Sequence, residues 1–201
     1  MPNPLDHLVY AVPDLAAGVA EFSRRTGAAP MAGGRHVGRG TANYLVGLGG
    51  GSYLEIIGPD AESDVPPALF GLDQPAPARL VTWAVRVSDI DAAIVDARAA
   101  GYDPGDAASL SRQAGDTLLQ WRLTAAAGLR PFLIDWGSSK HPSASAPAEV
   151  SLLDFVVLAA DPAAVRADLA ALDSSVPVES ASADGLRARL STPAGVVTLG
   201  S

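Results

Sequence analysis

Three histidines, a glutamate set in an apolar run and a few arginines are the side chains of this sequence with the means for chemistry. His7 stands in Leu5-Asp6-His7-Leu8-Val9-Tyr10-Ala11-Val12 and Glu55 in Tyr53-Leu54-Glu55-Ile56-Ile57. A carboxylate in such a run is costly to bury alone, so a partner or a function must justify it. Imidazole and carboxylate both suit a divalent ion such as Zn, Ni, Fe or Mn. His36 lies between Arg35 and Arg39 in a glycine-rich stretch that reads as a solvated loop. His141, ahead of Pro142, falls in a linker and reads as exposed. In Leu118-Leu119-Gln120-Trp121-Arg122-Leu123, strand alternation puts Gln120 and Arg122 on one face, opposite Leu119, Trp121 and Leu123. An arginine so placed suits a carboxylate, phosphonate or enolate through paired hydrogen bonds. Gly38-x-Gly40 is no phosphate loop, because no helix follows to present its N-terminus. With no cysteine, disulfides, thiolate metal sites and cysteine nucleophiles are excluded.

The elements that must position these residues recur three times. A β-rich segment, a cap and an amphipathic helix run from Leu5 to Gly27, from Leu80 to Gly101, and again from Leu153 through Asp161-Pro162. Asp14, Ser88 and Asp161 are the expected N-caps, and Gly27 and Gly101 the left-handed stops. Strands are expected after each helix. They are Pro30–Arg35, Thr41–Leu48 and Ser52–Ile57 in the first copy, and Ser109–Gln113, Thr117–Thr124 and Arg130–Trp136 in the second. In the third they are Val176–Ser180, Leu186–Leu190 and Val196–Leu199. The fold class is therefore α+β, built of βαβββ units over residues 1–59, 79–137 and 150–201. Linkers rich in Pro, Ala and Ser span 60–78 and 138–149. Alternation sets His7, Val9 and Ala11 against Leu8, Tyr10 and Val12, and the second set is the better helix-packing face. It also sends Asp135 toward a helix.

Composition narrows the partners. Of 201 residues 48% are apolar, enough to order a core, and 14 basic against 22 acidic residues give a net charge of −8, against broad nucleic-acid binding. No apolar run approaches the roughly 18 residues of a membrane helix. Met1-Pro2-Asn3-Pro4 has no signal-peptide character, so a cytoplasmic protein, monomer or homodimer, handling a small molecule is expected.

Tandem βαβββ units with His on the first strand and Glu on the fourth resemble the vicinal oxygen chelate superfamily, which includes glyoxalase I, extradiol dioxygenases and the fosfomycin- and bleomycin-resistance proteins. Four segments resemble its glyoxalase-like branch. They are Leu5-Asp6-His7-Leu8-Val9, Gly33-Gly34-Arg35-His36 with Gly40-Thr41-Ala42-Asn43, Tyr53-Leu54-Glu55-Ile56-Ile57, and Pro131-Phe132-Leu133-Ile134-Asp135-Trp136. The resemblance implies that two units curl around a cleft with a metal on its concave face. His7 and Glu55 would be ligands; His36 matches no ligand position of the superfamily and becomes a third only if the Gly38–Gly40 loop folds it over the cleft. The matching positions of the second unit are Thr82 and Ile134, which bind metal poorly, and His7 matches Phe155 in the third. Gln120, Arg122 and Arg86 are expected in the concave face beside Asn43, as ligand-binding groups. Glu55 would act as a base and Arg122 as the stabiliser of developing charge, with Trp121 and Trp136 in the core. Two functions remain open: a lyase, isomerase or oxygenase assisted by a divalent metal, and a metal-free protein that sequesters a small molecule. A structural module is a third, weaker class.

Overall fold

Helix boundaries in this chain are written in side chains that satisfy the free amides of the first turn. Asp14 accepts from the Ala17 amide and Asp161 from those of Ala163 and Ala164, while the middle helix is capped by Asp89 rather than Ser88. Gly27 and Gly101 end the first two helices at φ 71° and 94°, where a residue with a Cβ is strained. The computed structural model describes residues 2–67, 69–74, 76–114, 117–125 and 128–201, so residues 68 and 75 of the first linker lie outside it.

The first unit is β1 (Leu5–Ala11), α1 (Leu15–Thr26), β2 (Met31–His36), β3 (Thr41–Gly49) and β4 (Ser52–Pro59). The second is β5 (Arg79–Arg86), α2 (Ile90–Ala99), β6 (Ala108–Ala114), β7 (Thr117–Leu123) and β8 (Phe132–Asp135). Their strands make one eight-stranded sheet in the order β2-β3-β4-β1-β5-β8-β7-β6. The first strand of each unit pairs parallel with its last, and β1 joins β5 antiparallel at the centre. The sheet curls until β6 packs on β2, which leaves it nearly barrel-shaped.

After a single 3-10 turn (Pro142–Ala144), the chain forms β9 (Ser151–Ala159), α3 (Pro162–Ala171), β10 (Val178–Ser180), β11 (Gly185–Thr192) and β12 (Gly195–Gly200). The element order is again βαβββ, but the strand order is β10-β9-β11-β12. Here the first strand pairs antiparallel with β11 and parallel with the three-residue β10. The third unit thus repeats the elements of the others but not their pairing, and it forms its own sheet.

Alternation sorts the strand residues into two apolar layers. Leu8, Leu54, Ile56, Trp83 and Leu133 face outward into a core shared with α1 and α2 and with Phe155, Val157 and Leu190 of the third unit. Val9, Ile57, Ala84, Phe132 and Ile134 face inward, as expected for the side that carries His7. Two irregularities lie where β1 meets β5. Pairing steps from Leu5 with Val85 to His7 with Ala84, and from Val9 with Thr82 to Tyr10 with Leu80. Asp6 and Val81 are the extra residues, one bulge on each strand at matching places in the two units.

Candidate active site in the concave face

His7 and Glu55 sit on adjacent parallel strands, His7 opposite Tyr53 and Glu55 opposite Val9, so both side chains enter the concave face. They line a cavity of about 90 Å³ with His36, Asn43, Tyr53 and Arg112. Aromatic and aliphatic side chains (Trp121, Phe132, Ile134, Trp136) form the rest of its wall.

His7 is clamped from behind. Its Nδ1 is 2.6 Å from Asp6 Oδ1, and its ring stacks on Tyr53 with centroids 4.7 Å apart and planes 17° apart. Asp6 is fully buried and accepts two more hydrogen bonds on Oδ2, from Trp136 Nε1 at 3.1 Å and His141 Nε2 at 2.8 Å. Burial on its own would raise the Asp6 carboxyl, but the hydrogen bonds from His141 and His7 prevail and hold it well below the usual carboxylate range. An ionised Asp6 puts the proton of His7 on Nδ1, so Nε2 is the nitrogen offered to the cleft. His141 has the converse arrangement. Its Nδ1 accepts from the Ser143 amide, which leaves the Nε2 proton for Asp6.

Glu55 is held from the front. Asn43 Nδ2 donates to Oε1 at 2.5 Å, and Asn43 Oδ1 faces Arg112 Nη1 at 3.4 Å, so the amide can stand only one way round. Glu55 Oε2 lies 3.8 Å from His7 Nε2, and Oε1 lies 3.7 Å from His36 Nε2. His36 reaches the cleft from the last position of β2, with Nδ1 2.9 Å from Thr41 Oγ1. Burial lowers its pKa, the Glu55 charge opposes that, and Arg112 and Arg39 add to it, so His36 is neutral at pH 7.

Several expected residues are elsewhere. Arg122 lies outside the cleft, donating to both oxygens of Asp91 at 2.6 and 2.9 Å, and Gln120 is exposed on the same side. The reason is that β7 is next to the edge of the sheet. Helix α2 packs on β8 and reaches β7 only through Asp91, so the apolar residues of β7 turn inward and Leu118 is left 54% exposed. Trp121 and Trp136 are buried, as expected. Arg86 is half-buried at the end of β5, with Nη1 3.4 Å from the Gly51 carbonyl, and does not line the cavity. Asp135 does face a helix, accepting from the Ile90 amide at 3.3 Å.

Two arginines line the cleft: exposed Arg39 from the turn after β2, and Arg112, only 4% exposed, brought in from β6 by closure of the sheet. A methyl group on Gly33 of β2 would collide with Asn43 and Arg112, so the fit there requires glycine. Asp6 and His141 were also missed. Strict alternation sends Asp6 to the side opposite His7, and the bulge overturns that. His141 shows no signal beyond its residue type.

The family is decided by one comparison: the glyoxalase-like domain matches residues 5–172, well over half the chain. The chain belongs to the glyoxalase-like domain family, within the vicinal oxygen chelate superfamily. Solved structures share the fold of this glyoxalase-like protein. A hypothetical protein from Staphylococcus aureus aligns over 90% of this chain and 87% of its own, with a TM-score of 0.66 and 13% identity. A variant of Streptomyces coelicolor 4-hydroxymandelate synthase aligns over 99% of this chain and 62% of its own, with a TM-score of 0.53 and 13% identity. Streptomyces coelicolor methylmalonyl-CoA epimerase covers 71% of this chain at 18% identity, with a TM-score of only 0.46. No curated protein sequence matches the chain.

Superfamily membership raises the expectation of a metal, and the donor set does not fit one. Among the described residues no group of three or more His, Cys, Asp or Glu side chains is placed to hold an ion. Asn43 occupies Glu55 Oε1, and the matching positions of the second unit, Thr82 and Ile134, bring no usable ligand. His7, Glu55 and His36 are brought together at 3.7–3.8 Å, each held by a hydrogen bond to another residue, Asp6, Asn43 and Thr41 in turn. Among the described residues no helix is long and apolar enough to cross a membrane.

Proposed function

We propose that the glyoxalase-like cleft is a metal-free acid–base site that moves a proton at the carbon next to a carbonyl or hydroxyl of a small oxygenated acid. The observation that carries this reading is the position of Glu55. It is a nearly buried carboxylate lining a cavity, one oxygen fixed by Asn43 and the other facing His7 Nε2.

In this reading Glu55 Oε2 takes the proton from a substrate C–H. The electron pair of that bond moves onto the neighbouring carbonyl oxygen, giving an enolate and a neutral Glu55. Arg112 sits in the same cavity, where a guanidinium stabilises an anion far better than in water. His7 is held by Asp6 and Tyr53 with its proton on Nδ1, so its Nε2 lone pair is placed to accept a hydrogen bond from a substrate hydroxyl beside the reacting carbon. Return of the proton to carbon completes an isomerisation or an exchange with solvent. Loss of a leaving group from the enolate would give a lyase.

The test is hydrogen–deuterium exchange at C3 of pyruvate in D2O, followed by NMR. The protein should accelerate exchange over buffer, and Glu55→Gln should reduce the acceleration by a factor of 10² or more. Activity should survive extensive dialysis against EDTA. Loss on dialysis, restored by one added metal, would overturn the metal-free reading. Binding of pyruvate without exchange would reassign the cleft to sequestration.

A further inference from the structure

The two bulges give the halves of the cleft matching frames with different contents. Where the first unit turns Asp6 and His7 inward, the second turns Val81 and Thr82. Next to the polar floor this leaves a second lobe of about 590 Å³ lined mainly by Phe70, Val81, Thr82, Leu110, Leu123 and Phe132, with Arg39 and Asp106 also in its wall. Phe70, Leu110, Leu123 and Phe132 line both spaces, so the lobe adjoins the acid–base site.

Two features of this lobe have no explanation in the protein alone. Thr82 is 1% exposed, and its Oγ1 has no hydrogen-bond partner among the described residues. An orphan of this kind is unfavourable until something enters to satisfy it. Phe70 adopts φ 56° and Gly71 φ 70°, and Leu72 donates its amide to the Leu69 carbonyl at 3.0 Å. That is a mirror-image turn, a conformation suited to Asn or Gly and strained for a bulky side chain. The strain places an aromatic ring between the two spaces.

We infer that the lobe receives the apolar body of the substrate. The cleft then takes an acid with an oxygenated, anionic head on the Glu55–Arg112 floor and an apolar chain or ring under Phe70. This rests on the acid–base reading of the floor and extends it to a substrate class. A short acid would leave the lobe filled with water.

The experiment compares pyruvate with 2-oxooctanoate by isothermal titration calorimetry on the intact protein, its Phe70→Gly and Thr82→Val variants. Burial of the five added methylenes should tighten the Kd by about a thousandfold. Phe70→Gly relieves the turn, so the Tm should hold or rise while most of that gain is lost. Thr82→Val should tighten 2-oxooctanoate further, by about threefold, because an alkyl chain offers the hydroxyl nothing. Equal affinity for the two acids would overturn the lobe, and Glu55-dependent exchange of pyruvate would still stand. A lower Tm in Phe70→Gly with the chain-length gain intact would give Phe70 a structural role and overturn its part. Binding of neither acid would overturn both readings.

Discussion

Asp6 does more for the cleft than any residue that touches its interior. It is a buried anion with three donors, and two of them, His7 and His141, come from opposite ends of the paired units. Because its folded pKa is depressed, it contributes stability that is present above the unfolded value near 3.8 and is lost as pH falls toward the folded one. Asp6→Asn should therefore lower stability at pH 7 by about 3 kcal/mol and flatten the acid limb of urea midpoints measured from pH 5 to pH 2. An unchanged acid limb would show that other carboxylates set it. His36 acts in the same direction at higher pH. Burial depresses its pKa, so the unfolded chain takes up protons first and His36 withdraws stability as pH falls below about 6.5.

At the level of the elements, the site depends on β2 and β6 meeting. β2 brings His36 and the missing side chain of Gly33, and β6 brings Arg112. The 60–78 linker ties down the turn before β3, with Asp60 donating its amide to the Gly40 carbonyl and accepting from Arg35 Nε at 2.6 Å. Gly33→Ala tests this closure. Its methyl must push Asn43 and Arg112 aside, which should cut exchange of pyruvate by about tenfold or more while the far-UV CD spectrum is unchanged. Unchanged exchange would mean that Arg112 and Asn43 are not needed where they stand.

For the whole molecule, the third unit is a backing layer for the eight-stranded sheet. Its sheet closes the outer face over β5, where the Phe155 ring meets Trp83 edge-on with centroids 5.2 Å apart, and α3 packs beside α2. Trp83 has no exposure, and its Nε1 donates to the Leu129 carbonyl. Phe155→Ala should cost about 3 kcal/mol of unfolding free energy in urea and leave pyruvate exchange intact, since the cleft is on the other side of the sheet. Loss of exchange in a folded Phe155→Ala protein would show that the backing layer and the cleft are coupled.

The amino-acid sequence by itself determined the repeated units, the strand periods and the inward direction of His7, Asn43 and Glu55. These follow from local periodicity, and β1, β3 and β4 have a helix-packed outer face that makes the apolar side easy to assign. Only the tertiary structure decided which arginine enters the cleft. Alternation correctly pairs Gln120 with Arg122, but whether that pair faces in or out depends on whether a helix covers β7, a non-local fact. Arg112 enters because a curled sheet brings its two edges together, and that closure is not written near either edge. Asp6 turns inward because one extra residue breaks the pairing of β1 with β5, and such a bulge exists only when the partner strand is present. His141 joins Asp6 across 135 positions of chain, a contact that no spacing within the sequence records.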